Sequence, residues 1–317
     1  MSQLKVVNYD AGQKREWDEF VGRARNGVFL FRRDYMEYHA DRFTDASLLF
    51  LDEAGRIVAL LPASINGETV SSHGGLTFGG FITDDGMKVA LMLELFNAAK
   101  AHLGERGIAT LIYKAIPHIY HRVPAEEDLY ALYRHGARLF RRDVSSTVLM
   151  QERLPFSKGR KYAVKQAQKR GLRLDRSFDF ATFMAIEEEL LGEKYGARPV
   201  HTAAEIELLA ARFPDNIKLF AASEGAAMLA GVIIYESGQV AHAQYISATD
   251  EGKRSGALDL IISYLINEYY AHKKYFDFGI STEDQGRYLN TGLIENKQGF
   301  GGRAIVYDFY EVDLRDN

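Results

Sequence analysis

The 317-residue chain contains no cysteine. That absence excludes disulfide scaffolds, Cys-ligated zinc, iron–sulfur clusters and cysteine nucleophiles. Proline is scarce, at six residues, and 47% of the chain is hydrophobic against 26% charged, which excludes disordered and collagen-like chains. No apolar run approaches the roughly 18–20 residues that cross a bilayer. The N-terminal stretch MSQLKVVNYDAGQKREWDEF lacks the apolar core of a secretory signal. These absences point to a soluble cytoplasmic protein without a membrane span. The length exceeds one average domain and suits two.

The formal charge of −4 argues against a dedicated DNA- or RNA-coating protein. Its distribution is uneven. Thirteen Lys/Arg stand between Arg134 and Arg176 against Asp143, Glu152 and Asp175 alone. Within that block, Lys161, Lys165 and Lys169 recur every four residues and form one ridge of a helix expected over 158–170. The ridge is either a solvated face or a surface for an anionic ligand, with Lys161 and Lys165 as substrate-binding candidates.

Alternation and turn residues place a hairpin at Ser47–Leu51 and Ile57–Ile65, then a glycine-rich strand over His73–Phe81. Apolar residues at helical spacing predict a helix over Met87–Arg106 that stops at Gly107, and a strand comes next at Ala109–Tyr113. The last third repeats the order. Strands are expected at Ile217–Ala222, Met228–Tyr235 and Gln239–Ser247, then a glycine-bearing loop at 249–256, a helix over Ala257–His272 and a strand at Tyr275–Phe278. Helices at 125–136, 158–170, 180–195 and 203–213 lie between the halves. The fold class read from this pattern is α+β with mixed sheets, as domains 1–150 and 151–317.

Three segments carry candidate chemistry. In QYISATDEGKRSGALDL (244–260), backbone N–H groups at a helix start beside Lys253 and Arg254 suit a pyrophosphate. Gln244, Ile246, Ser247, Gly252, Lys253, Arg254, Ser255, Gly256 and Ala257 are therefore the cofactor-binding candidates. The two glycines there would let phosphate reach the amides. In DFGISTEDQGRYLNTGLIENKQGFGG (277–302), Lys297 lies a turn before a glycine corner, pointing into a cleft or leaning on helix carbonyls. In His73–Phe81, four glycines imply bulges or the close approach of a ligand or another backbone, and His73, Gly74 and Gly75 are substrate-binding candidates. His118 and His121 have no acids nearby, so no metal site is expected.

The strand–loop–helix at 239–272, the strand at 275–278 and the NKQGFGG corner at 296–302 resemble the acyl-donor half of the GNAT acyltransferase superfamily. The Trp17…Phe20…Asn26-Gly27…Phe29…Tyr35 pattern, the GGLTFGGF run and the basic stretch GRKYAVKQAQKRG at 159–171 resemble the bacterial Fem-type (FemAB-like) branch, in which two GNAT-like domains are fused. The chain departs from the usual GNAT loop in offering Lys253 first and Leu258 last, and has Asn296 where an aromatic often precedes the lysine.

The resemblance implies two GNAT-like domains in tandem, each a mostly antiparallel sheet flanked by helices, with an acceptor side at 1–150 and an acyl-donor side at 151–317. It implies an N-acyltransferase taking acyl-CoA (acetyl-CoA) as co-substrate and passing the acyl group directly to an amine of a small, nucleotide-linked or envelope-precursor substrate, without metal. The alternative is an aminoacyl-tRNA-dependent Fem-type peptidyltransferase acting on a peptidoglycan precursor. Such a site must deliver a neutral amine, stabilise an oxyanion and protonate the leaving group. Backbone N–H groups along Gln244–Ser247 and Lys297 are the oxyanion candidates. Tyr288 and Tyr245 are candidate proton donors, and His242 or Glu236 candidate relays for the amine proton.

Overall fold

A computed structural model describes residues 4–315. The chain divides into two compact units. The first comprises residues up to Asp143, Asp284–Arg287 and the residues from Val306 onward; the second comprises Val144–Glu283 and Tyr288–Ile305. The expected division at 150/151 therefore differs on two counts. The strand Arg138–Leu149 changes unit at 143/144, and the last residues return to the first unit because Phe309–Asp313 pair with Thr110–Lys114.

In the first unit, Lys5–Asn8, Leu48–Leu51, Ile57–Leu61 and Ile82–Thr83 form an antiparallel sheet. Thr110–Lys114 also pairs with Thr69–Ser71, and this pair is parallel. The Val89–Gly104 helix makes the crossover and buries Met92, Leu95, Phe96, Ala99 and Leu103. That apolar face meets Leu48, Phe50, Leu61 and Leu111 in one core, where each large side chain contributes about 1.5–3 kcal/mol.

The segment expected as a glycine-rich strand, His73–Phe81, is a loop, and pairing resumes only at Ile82. His73 and Gly80 have φ of 67° and 93°, which break the strand geometry. A Cβ on Gly79 would lie 1.9 Å from the Ser72 carbonyl oxygen, so the close approach at that glycine is made by the chain's own backbone.

In the second unit, strands run in the order Arg173–Ser177, Ile217–Glu224, Ala227–Glu236, Val240–Ala248, Tyr275–Ile280 and residues 144–149. All neighbours are antiparallel except Val240–Ala248 and Tyr275–Ile280. Side-chain caps set the helices. Ser157 opens Lys158–Arg170, Asp179 opens Phe180–Tyr195, and Thr202 with Glu205 forms a capping box on Ala203–Arg212. Gly171 closes the first of these at φ 74°.

The expected helix over 257–272 is shorter. An α-helix at Ala257–Tyr264 passes into a π-turn at Leu265–Tyr269, while the preceding loop is itself a helix, Asp250–Ser255, broken from the next by left-handed Gly256. The core packs Val232, Ile234, Ala243, Phe276 and Phe278 against Ile261, Ile262 and Leu265.

Candidate active site

The parallel pair of the second unit runs in register only over Val240, Ala241 and His242, opposite Tyr275, Phe276 and Asp277. Beyond that point the two strands separate. On its other edge, Val240–Ala248 carries a bulge: Ile233 faces Tyr245 and Ile234 faces Ala243, which leaves Gln244 without a counterpart. A forked sheet with a bulge at the fork opens a cavity of about 250 Å³. Ala243, Ile246, Leu258, Ile262, Phe278 and Phe300 give it apolar walls. Its polar lining comes from Gln244, Tyr245, Glu187, Asn296 and Lys297.

Lys297 reaches this cavity from the Thr291–Gln298 helix, which Asn290 caps by accepting from the Leu293 N–H. The lysine is buried at 6% exposure. Its Nζ donates to the carbonyl oxygens of Gly279 at 2.9 Å and Ile280 at 2.7 Å. Burial lowers its pKa to about 8, with the nearby Asp277 charge opposing the fall.

Asp277 is fully buried at the last register position of the fork. One carboxylate oxygen accepts from Ser145 Oγ at 2.6 Å and Thr147 Oγ1 at 2.7 Å; the other lies 2.7 Å from His242 Nδ1. Burial pushes this carboxyl up, but the His242 hydrogen bond and charge and the two hydroxyls outweigh it, so its pKa lies below the usual carboxylate value. The His242 ring is oriented by this carboxylate, as in other His–carboxylate pairs. Gly279, at φ 75°, turns the backbone beside that ring; a Cβ there would stand 3.3 Å from His242 Cε1.

Other cavity groups are equally fixed. Tyr245 Oη lies 2.6 Å from His201 Nδ1, and both residues are buried. Glu187 comes from the Phe180–Tyr195 helix, and burial raises its carboxyl above the ordinary value.

Of the residues expected from the sequence, the structure brings Gln244, Tyr245, Ile246 and Lys297 to one cavity and places His242 at its fork. Tyr288 is 58% exposed on a short strand paired with Thr282–Glu283 and does not line the cavity, which does not suit its expected role as a proton donor there. Glu236 is engaged by Lys218 at 2.6 Å and Lys273 at 2.8 Å; burial raises its carboxyl, the two lysines outweigh that, and the net pKa is lowered. That corrects its reading as a relay.

The anion loop is also corrected. Thr249 caps the Asp250–Ser255 helix, and Asp250 and Glu251 occupy its first turn, where they neutralise Lys253 and Arg254. A Cβ on Gly252 would lie 2.0 Å from the Leu229 carbonyl oxygen, and one on Gly256 2.5 Å from that of Ala163. These glycines admit neighbouring protein backbone, while Ser255 and Ala257 are buried. The helix start expected to hold a diphosphate, that of Ala257–Tyr264, carries the buried carboxylate of Asp259 in its first turn, which does not favour an anion there. Ser247 is buried rather than cavity-lining.

His73, Gly74 and Gly75 belong to the first unit, where Gly75 is crowded by His39 and Phe43. The residues that sequence reasoning missed are Asp277, Ser145, Thr147, His201 and Glu187. Asp277 had a local signal, a lone acid in the apolar run Tyr275–Phe278.

The model of the acetyltransferase (GNAT) domain family matches residues 157–288, which span the fork and Asp277. No curated protein matches the chain in sequence. Among solved structures, FemX superposes with a TM-score of 0.67 at 12% identity, covering 98% of this chain and 97% of that one. L-PGS from Bacillus licheniformis gives 0.61 at 12% identity, covering 97% and 92%. A tandem GNAT protein from the clavulanic acid biosynthesis pathway gives 0.51 at 12% identity, covering 99% and 100%. The family match marks residues 157–288 as an acetyltransferase (GNAT) domain, and the solved structures share the fold of the whole chain. The expected fold of tandem GNAT-like units with mixed, mostly antiparallel sheets is the fold observed, and FemX shares it. No helix among the described residues is long and apolar enough to cross a membrane, and no cluster of potential metal ligands occurs among them.

Proposed function

We propose that the second unit transfers an acyl group directly from an activated carrier to an amine, with the fork of Val240–Ala248 and Tyr275–Ile280 as the reaction site. The observation that carries this reading is the convergence at one fork of a buried, partly deprotonable Lys297 and a His242 ring oriented by buried Asp277. The amine lone pair attacks the acyl carbonyl carbon and a C–N bond forms. The proton released from nitrogen passes to His242 Nε2, since Nδ1 is committed to Asp277. Lys297 and backbone N–H groups around the Gln244 bulge stabilise the oxyanion. The bond from carbonyl carbon to the carrier's sulfur or oxygen then breaks, and the leaving atom takes a proton. Tyr245, whose hydroxyl lies 2.6 Å from His201 Nδ1, is the hydroxyl-bearing residue of the cavity lining and the proton donor for that step.

The leading reading takes acyl-CoA as donor and an amine of a small, nucleotide-linked or envelope-precursor molecule as acceptor. One observation favours an aminoacyl ester on tRNA instead: Lys253 and Arg254, the cations expected to face a CoA diphosphate, are paired with Asp250 and Glu251. The experiment is a donor panel of acetyl-CoA, longer acyl-CoAs and charged tRNA with amine acceptors, read by mass spectrometry of the product. Turnover with charged tRNA that falls steeply between low and moderate salt supports the ester donor. Turnover with a CoA thioester and a shallow salt response supports the thioester. No acyl transfer from any of them removes the proposal.

A further inference from the structure

The Lys158–Arg170 helix treats its basic residues in two ways. Arg160 pairs with Asp259 at 3.0 Å, and Arg170 with Glu224 at 2.6 Å and with Glu251. Lys161 and Lys165 have no ion-pair partner among the described residues, and both face a groove of about 470 Å³. This groove is distinct from the cavity at the fork. The Ala257–Tyr264 helix turns Leu258 and Ile262 to the cavity, whereas Ser263, from a different face of that helix, lines the groove. Phe156 is packed edge-on against Phe300 of the cavity wall, with ring centroids 5.3 Å apart.

The groove's chemistry is two-sided. Its floor is Leu154, Pro155, Phe156 and Val164, and its charged lining is Lys161, Lys165 and Arg153, with no carboxylate. Arg153 is held in place by donating to the Ile266 carbonyl oxygen at 2.7 Å, within the π-turn. Two lysines one turn apart repel each other, and their Cα atoms are separated by about 6 Å along the helix axis. Two flexible ammonium groups at that spacing can close on neighbouring phosphates of a single diphosphate, and the adjoining apolar floor suits the group esterified to it.

We propose that this groove is a second ligand site for an organic diphosphate, with Lys161 and Lys165 on the diphosphate and the Leu154–Phe156 floor against its apolar body. The shared chemistry is a diphosphate ester, whose body is either a nucleoside or a lipid chain. The site does not depend on the acyl-transfer reading, since it uses none of the cavity's residues.

The test is calorimetric titration of the full chain with ADP, farnesyl diphosphate and inorganic pyrophosphate. One of the two organic diphosphates binds at least about tenfold more tightly than pyrophosphate, and its identity names the source. Lys161→Gln/Lys165→Gln weakens that ligand by at least about tenfold, whereas Lys158→Gln/Lys169→Gln, removing equal charge from the same helix outside the groove, changes it by less than about threefold. Lys161→Arg/Lys165→Arg retains binding, and circular dichroism shows that every variant remains folded. Equal affinity for pyrophosphate, equal losses in the two Gln pairs, or no binding at millimolar ligand overturns the proposal. So does tighter binding of a single-stranded oligonucleotide, which would assign the groove to nucleic acid.

Discussion

Both units contain a parallel strand pair bridged by a crossover helix, and both bury a lysine near the end of that pair. In the first unit the pair is Thr69–Ser71 with Thr110–Lys114, and Lys114 Nζ donates to the carbonyls of Leu76 and, at 3.4 Å, Gly74. In the second, Lys297 donates to Gly279 and Ile280. Burial brings both amines to about 8.

The units differ in the path the chain takes on leaving the first strand of the pair. After Ser71 the chain folds back over the end of its neighbour, where Gly79 N–H donates to the Lys114 carbonyl oxygen and Lys114 N–H to Ser72 Oγ. After Ala248 the chain instead turns into the Asp250–Ser255 helix, and the fork stays open. The surrounding charge differs too: Arg141 acts on Lys114 and lowers it further, while Asp277 acts on Lys297 and partly restores it. One topology thus yields a lysine that pins a loop and a lysine that lines a cavity.

The largest expected effect tests that division directly. Lys297→Met lowers kcat about 10²–10³-fold, the scale of losing one oxyanion donor, with an unchanged circular dichroism spectrum. Lys114→Met, which removes a loop anchor, leaves the turnover of folded protein within about threefold, because no transition-state contact is lost. Equal losses from both would show that the lysines share a structural task, and would break the comparison.

Next in size is Asp277→Asn, for which a fall of about 10–100-fold in kcat is expected, because the amide no longer fixes the His242 ring in the tautomer that accepts a proton at Nε2. Tyr288→Phe, at an exposed position away from the cavity, serves as the silent control. The pH–rate profile separates a positioning role from a purely structural one. The variant's acid limb moves, whereas simple loss of folded protein would scale the whole profile without shifting it.

Smaller again is the effect of closing the open fork. Ala243 is 4% exposed and lines the cavity. Ala243→Leu imitates the first unit's filled fork, lowering kcat/KM about tenfold while destabilising the fold by about 1–3 kcal/mol through overpacking. Kinetics and chemical denaturation of the same sample read both quantities. Unchanged kcat/KM would place the reaction outside the cavity.

How much of this was legible in the sequence depends on how local each feature is. Ser157 and Gly171 bracket their helix within the segment they cap, so 158–170 could be read directly. Lys297 was legible because the glycine corner beside it marks a turn. The His73–Phe81 loop was not, since its deviation depends on φ values and on a fold-back against Lys114 that alternation does not encode. The same holds for the Asp250–Ser255 helix, where two glycines suggested a phosphate loop but accommodate the carbonyls of Leu229 and Ala163. Asp277 stood in plain view, yet its hydroxyl partners lie 132 and 130 residues away in the chain. No local pattern joins them; the sheet order does.

The least effect expected is on stability, and it separates the units by sign. Asp128 in the first unit is buried against the Tyr113 hydroxyl at 2.6 Å, and burial raises its pKa to about 6. A carboxyl raised in the folded state contributes stability that is full below its unfolded pKa, near 3.8, and is lost as pH rises through about 6. Asp277 in the second unit is lowered, so its contribution is present above the unfolded value and is lost as pH falls through the folded one. Between about pH 4 and 6 only the first of these terms changes strongly, by an amount on the order of 1 kcal/mol once relaxation and water penetration are allowed for. Asp128→Asn therefore flattens the loss of unfolding free energy across that window, measured by urea denaturation at successive pH values, because the amide still accepts the Tyr113 hydrogen bond without ionising. Asp277→Asn leaves that window's slope in place and instead removes a loss that begins at lower pH. If Asp128→Asn left the slope untouched, Asp128 would have to titrate as an ordinary carboxylate, and the closed core of the first unit would have to admit water where Tyr113 and Asp128 meet.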